Sequence, residues 1–271
     1  FGQVLSTRPD VVGEEMADQF RVLQDRLAPF STDLARAEVE KELGKPLEAM
    51  FSDFSEPVAA ASLAQVHKAV LVETGEAVAV KVLRPGIERA FGKDIDAFYF
   101  AARMIELLSP AARRLRPMDV ITHFEGIVRG ELDLRLESSA ASEFAANTAS
   151  DDGFQVPVIK RHYSARRVMT LGWAEGVSIG DTAAIDAAGH DRSELAKRVL
   201  QLFLSHALRD GFFHGDMHQG NLKVAANGDI IPYDFGIMGR IDEYTRRVYA
   251  EILFGFIRKD YQRVAEVHFE A

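Results

Sequence analysis

The segment HGDMHQGN, His214 to Asn221, packs two imidazoles, a carboxylate and an amide into eight residues, and YDFG follows at Tyr233 to Gly236. Asp216, Asn221 and Asp234 all offer hard oxygens. Magnesium takes few oxygens from protein and completes its shell with water and phosphate. Asn221 and Asp234 therefore suffice as metal ligands, and Asp216 is left to orient or deprotonate a nucleophile. Phosphoryl transfer needs that division of labour. Either phrase alone is an ordinary turn, because Asp, Asn and Gly are turn formers. Their order and spacing together point to chemistry.

A cation comes from VAVK, which ends in Lys81. Side chains alternate along a strand, so Ala79 and Lys81 share one face while Val78, Val80 and Val82 share the other. The valine face can enter a core, and the opposite face presents a small residue and an ammonium able to bridge phosphate oxygens. GELDLRLESS places Glu131, Asp133 and Glu137 on one expected helix. Asp133 and Glu137 are four apart, so they share a face and repel. Arg135 can pair with Glu131 but lies off the face that Asp133 and Glu137 share, so a cation from elsewhere is wanted, with Lys81 as the candidate. Taken singly, Lys81 reads as an edge-strand lysine and the acidic run as a solvated helix face.

The elements that must hold these groups are legible in outline. Met16, Phe20, Leu23 and Leu27 recur at helical spacing, and Pro29 stops that run. Ser31-Thr32-Asp33 offers N-caps for a second helix carrying Leu34, Val39 and Leu43 and ending at Gly44. Val66 to Val72 and Ala77 to Leu83 form a hairpin about a Gly75 turn. Residues 87–146 read as helical, broken near Ser109-Pro110 and Arg116-Pro117. Short strands are expected at Gln155 to Val158 and Arg167 to Leu171, and a helix at Glu194 to Leu208. Leu222 to Val224 and Ile230 to Pro232 form a second hairpin around Asn227-Gly228. From Asp242 the tail is helical. The fold class this predicts is α+β, with a small β-containing lobe and a larger helical lobe. A cleft between lobes is a common ligand site.

Composition excludes several alternatives. The chain has 271 residues, 47% hydrophobic and 27% charged, with net charge −9. That balance argues against a nucleic-acid surface, and Arg113, Arg114 and Arg116 read as a solvated helix end. With no cysteine, disulfides, thiolate zinc sites and cysteine nucleophiles are excluded. No stretch approaches the roughly 18 apolar residues of a spanning helix. The opening FGQVLSTRPD lacks both Met and a signal-peptide pattern, and the end falls inside an amphipathic run. Both ends read as cuts, so a fragment of a longer chain is expected.

These phrases together resemble the protein-kinase-like fold, and in particular its atypical UbiB branch, the kinase-like proteins of ubiquinone biosynthesis. The resemblance spans essentially the whole chain. FGQ, ending at Gln3, resembles the tail of the KxGQ motif. PVAAASLAQVH, Pro57 to His67, resembles the alanine-rich loop that stands in for a glycine-rich nucleotide loop, with Ala59, Ala60, Ala61 and Ser62 in it. Lys81 matches the nucleotide-binding lysine and Glu137 its glutamate partner. Glu131 and Asp133 match ExD. Asp216 matches the catalytic-loop aspartate, and Asn221 and Asp234 the metal ligands. The family loop reads closer to HADPHPGN; Gly215 stands where it has Ala, and Met217 and Gln219 stand where it has Pro, which removes proline stiffening. Ser138-Ser139-Ala140 stands where the family tends to AAN. Gly172 stands where the expected inter-lobe hinge often carries Glu.

The resemblance implies a bilobal kinase-like fold: an N-terminal helical extension over residues 1–50, an N-lobe with inserted helices over 51–172, and a truncated C-lobe over 173–271. It implies Mg2+ with ATP or ADP bound between the lobes, weak ATPase activity, and a regulatory role for Gln3, Glu131 and Asp133. Implied partners are isoprenoid lipids or quinone precursors and the enzymes acting on them. The implied place is the cytoplasmic surface of a bacterial inner membrane, or the matrix side of a mitochondrial one. Glycine lets a loop bring its amides close to phosphate, and alanine resists this, so the loop is expected to disfavour ordinary protein phosphorylation. An atypical kinase or ATPase is the first reading. A nucleotide-gated scaffold is the second, and a small-molecule kinase of the aminoglycoside or choline type the third.

Overall fold

A computed structural model describes residues 28–108 and 112–270. The chain divides into two compact units, Phe1–Ser138 with Ile159–Trp173, and Ser139–Val158 with Ala174–Ala271. The expected helix ending at Leu27 lies outside the described residues.

The first unit begins with α1 (Thr32–Leu43) and the short α2 (Leu47–Met50). The Ser31 side chain caps α1 at the Leu34 N–H, and Gly44 ends it with φ 68, a left-handed conformation glycine adopts without strain. A four-stranded antiparallel sheet follows in the order β1 (Phe51–Ala60), β2 (Ala64–Leu71), β3 (Ala77–Leu83) and β4 (Val168–Gly172). Val78, Val80 and Val82 are fully buried and pack with Ala35, Val39 and Met50. Burying that stripe is what seats α1 on the sheet, at roughly 25 cal/mol per Å² of apolar surface. Sequence patterning missed β1. Its Ser, Asp, Glu and Pro residues are poor strand formers, and its register slips at three places along β2. Pro57 is tolerated because β1 is an edge strand.

Arg167, 8% exposed, ties three elements to this sheet. It donates to Glu38 on α1 at 2.6 Å, to Glu88, and to the Arg84 carbonyl at 3.0 Å. A second buried network lies on β2. The Gln65 amide accepts from the Phe30 N–H and donates to the Phe30 carbonyl. His67 bonds Gln65 at 2.9 Å and the Ser55 carbonyl at 2.8 Å.

Two long helices, α3 (Ile87–Leu108) and α4 (Pro117–Glu131), pack through Ile95, Ala102 and Ile121. Leu134 opens α5 (Leu134–Asn147). The single helix expected through Glu131, Asp133 and Glu137 is therefore broken. Leu132 and Leu134 are both buried, and residues two apart do not face the same way on a helix, so the chain must interrupt α4 to bury both.

The second unit centres on Phe144, which is fully buried. Rings of Phe154, Phe212, Phe235 and His206 surround it at 5.0–6.4 Å. Helices α6 (Thr182–Ala187) and α7 (Arg192–Ser205) are each capped by an aspartate, Asp181 and Asp191. The helix expected to reach Leu208 stops at Ser205 and continues as a π-turn, His206–Asp210. The expected hairpin is present as β7 (Leu222–Val224) and β8 (Ile230–Pro232), and β5 (Val177–Ser178) pairs with β7. Strand β6 (Phe212–His214) pairs with β9 (Met238–Arg240). No strand forms at Gln155 to Val158, where only isolated bridges at Phe154 and Ile159 occur; Pro157 has no N–H to contribute to a ladder. The tail folds as α8 (Glu243–Arg258) and α9 (Tyr261–Glu270).

Candidate active site

In the first unit, strand alternation delivers the expected cation. Val80 faces the core, so Lys81 emerges on the opposite face with Ala79. Lys81 Nζ donates to both Glu137 oxygens, at 2.8 and 2.9 Å. The lysine and glutamate side chains are 19% and 9% exposed, so the pair is held in a partly dehydrated setting where its geometry is well defined. Glu137 sits in the first turn of α5, where a carboxylate complements the helix dipole.

Asp133 has a partner of its own. Glu131 closes α4 on an exposed position, and Asp133 lies in the break before α5. Arg135, which spacing would let reach Glu131, binds Asp133. Its Nε donates at 2.8 Å and its Nη2 at 2.5 Å, and its own backbone N–H bonds the same carboxylate at 3.1 Å. The helix break brings these residues together, and Arg135 holds the Asp133 carboxyl below its ordinary value against the opposing effect of burial.

The alanine-rich segment is a tight β-hairpin. Ala59 and Ala60 end β1, Ala61 and Ser62 lie in the turn, and the Ala61 N–H bonds the Ala64 carbonyl at 2.8 Å. Ala59, Ala61 and Ser62 are exposed. Gln3 lies outside the described residues.

In the second unit the HGDMHQGN segment is organised by its first histidine. His214 is 1% exposed. Its Nδ1 accepts the Asp216 N–H at 3.1 Å, and its Nε2 donates to the Asp234 carbonyl at 2.6 Å. That pattern requires the neutral Nε2–H tautomer. Burial agrees, pushing the imidazole below its ordinary pKa although the Asp234 carbonyl pulls the other way. The imidazole thus joins the backbone at Asp216 to the backbone at Asp234. Sequence reasoning gave His214 no role of its own, and the one signal available was its place two residues before Asp216.

Asn221 completes the arrangement. Its amide nitrogen donates to the Asp216 carbonyl at 3.0 Å and to Asp216 Oδ2 at 3.2 Å. With the NH2 committed, the amide cannot flip, and Oδ1 is the atom presented as an acceptor. Asp234 Oδ1 accepts the Gly236 N–H at 3.0 Å. Phe235 is buried against Phe144 and His214, which anchors the backbone beside Asp234. His218 caps the turn at Gly220 and lies 3.5 Å from Asp216 Oδ2. Tyr233 reaches the Gly220 carbonyl through its hydroxyl. Asp216 keeps a side chain 38% exposed, as a group meeting a substrate must.

Among the described residues no set of three or more His, Asp or Glu side chains is able to hold a metal. The donor set here is one amide oxygen and one carboxylate. It fits magnesium that takes its remaining ligands from phosphate and water, and does not fit a metal held by protein alone.

The profile of the ABC1 atypical kinase-like domain matches residues 22–268. The chain is 40% identical over 277 residues to a Cronobacter sakazakii protein named "Probable protein kinase UbiB", covering 100% of this chain and 51% of the relative. Proteins of the same name from Shewanella baltica and Marinobacter nauticus are 38% and 37% identical, with 100% of this chain and 50% of each relative covered. The chain spans about half the length of the curated relatives it matches. The Mycobacterium tuberculosis protein Rv3197, solved in complex with erythromycin, superposes with a TM-score of 0.73 at 28% identity, covering 100% of this chain and 68% of that one.

Proposed function

Because this chain belongs to the ABC1 atypical kinase-like family, we propose that it binds ATP or ADP with magnesium and acts as an atypical kinase or ATPase in ubiquinone biosynthesis. Isoprenoid lipids or quinone precursors, and the enzymes that act on them, are its proposed partners. Its proposed place is peripheral, at a membrane surface. The observation that carries the reading is the joining of Asp216 to Asp234 through His214, with the Asn221 amide locked onto Asp216.

Asn221 Oδ1 and the Asp234 carboxylate would hold the magnesium, and Lys81, fixed by Glu137, would meet phosphate oxygens. The bound ion supplies charge neutralisation on the phosphates. Asp216 aligns the acceptor group and takes its proton. His214 and the Asn221 NH2 hold Asp216 in place; His214 touches no substrate.

A thermal-shift titration with ATP and ADP, with and without magnesium, tests the reading on wild type and Asp234→Asn. A magnesium-dependent shift lost in the variant is expected. A folded wild type with no shift would sink it.

The alanine-rich hairpin, Ala59 to Ala61 before Ser62, supports a second reading, a nucleotide-gated scaffold in which occupancy and not turnover matters. Ala60→Gly or Ala61→Gly should alter nucleotide affinity or selectivity if this tip covers phosphate. Unchanged binding returns these alanines to plain packing.

A further inference from the structure

Helix α3 has two apolar faces. One is the packed face, with Phe91, Ile95, Phe98 and Ala102 against α4. The other carries Phe100, Met104, Leu107 and Leu108, at helical spacings of three and four. Phe100, Leu107 and Leu108 are 68%, 67% and 74% exposed. One such residue on a surface needs no explanation, but a contiguous stripe marks an interaction site.

The charges beside the stripe say what it meets. Arg89, Lys93 and Arg103 are exposed and lie on the same side of the helix as the stripe. Past the end of α3, Arg113 and Arg114 are also exposed; Arg113 Nε folds back onto the Glu106 carbonyl at 2.7 Å. Arg116 pairs with Asp119 and adds little. Asp94 and Asp96 are the carboxylates near the stripe, and α3 also carries Glu106 and Glu88, the latter bound by Arg167, so the excess of base comes from adding Arg113 and Arg114. This basic excess occurs in a chain of net charge −9, so it is a local concentration and not a reflection of composition.

An apolar stripe flanked by Lys and Arg is the pattern of a helix that lies in a bilayer interface. Among the described residues no helix is long and apolar enough to cross a membrane, so the stripe would lie along the surface. A second copy of the chain is a poorer occupant. Stripe against stripe would bring basic groups onto basic groups whether the two helices ran parallel or antiparallel.

We propose that the outer face of α3, with Arg113 and Arg114 beyond its end, docks on an anionic lipid bilayer. The proposal gives a surface to the membrane association proposed above and rests on that part of the reading; it is independent of nucleotide binding.

Vesicle co-flotation of the 271-residue chain tests it, with pure phosphatidylcholine vesicles against vesicles containing phosphatidylglycerol. Each arginine near an anionic surface is worth about fivefold in partitioning, so R113E with R114E should weaken binding at least about 25-fold. L107S with L108S removes the apolar contribution without adding charge, and should also release the protein. Binding should fall as salt shortens the Debye length. The magnesium-nucleotide thermal shift and the circular dichroism spectrum report that each variant is folded. Wild type that ignores anionic vesicles overturns the membrane association itself. Wild type that binds while both variants bind equally well overturns this surface alone. Equal binding to neutral vesicles overturns the charge argument. A dimer in light scattering that both variants abolish, without vesicle binding, assigns the face to a second copy instead. None of these outcomes bears on the nucleotide reading, which the thermal shift tests separately.

Discussion

His214→Phe keeps a ring of similar size and removes both nitrogens. The Asp216 N–H then loses its acceptor and the Asp234 carbonyl its donor, at a site where the histidine is 1% exposed. A buried polar group left unpaired costs about 1–3 kcal/mol, so the variant should lose at least about 2 kcal/mol. The loss has a pH signature. Burial lowers the pKa of His214, and of His67 and His206, below the ordinary value. At His206 burial outweighs a bond to Asp151 at 2.9 Å, which pulls the other way. The fold keeps these rings neutral while the unfolded chain takes up protons below about pH 6.5. Stability is therefore complete above that pH. It falls as pH drops through it, by up to about 1.4 kcal/mol per pH unit for each ring, until the folded ring titrates. Urea midpoints followed by circular dichroism at about pH 7.5 and about pH 5.5 read both effects. The variant should be weaker at the higher pH and less sensitive to acidification, since one of the three rings is gone. A midpoint matching wild type at the higher pH, or an unchanged acid sensitivity, would refute the role given to this imidazole.

Other expectations follow from single contacts. Arg167→Met takes the buried partner from the Glu38 carboxylate and leaves it only the exposed Lys41 at 3.3 Å; losing one partner of a buried pair costs up to about 3–5 kcal/mol, read as a lower urea midpoint. Gly176→Ala should destabilise by about 1–3 kcal/mol or more, because φ is 145 there and a Cβ would stand 2.3 Å from the Val224 carbonyl oxygen; a thermal melt equal to wild type would show that β5 yields freely. Asp216→Asn should preserve magnesium-nucleotide affinity while lowering turnover by roughly two to three decades, the scale of losing a main electrostatic contributor. Equal turnover in a phosphate-release assay would remove its catalytic role.

Strand alternation was enough to place Lys81 opposite the valine core, because a period of two leaves no freedom once one face is buried. The hairpin at Leu222 to Pro232 was equally plain, since its turn residues and apolar flanks act locally. Spacing alone gave the ion pair of Lys81 with Glu137 as a need for charge, and the family resemblance named the two partners. The edge strand β1 escaped notice because its partner, and not its own residues, makes it a strand. Asp133 went to Arg135 because burying Leu132 and Leu134 broke the helix that sequence spacing assumed.

Local chemistry, written in residue type and spacing, determined which side chains carry charge and hard oxygens: Lys81, Glu137, Asp216, Asn221 and Asp234. Tertiary structure decided how they are held. The His214 imidazole joins the backbone at Asp216 to the backbone at Asp234, Phe144 gathers four rings, and Arg167 draws three segments together. These are long-range choices made when a buried polar or aromatic group must find partners, and no run of neighbouring residues specifies them.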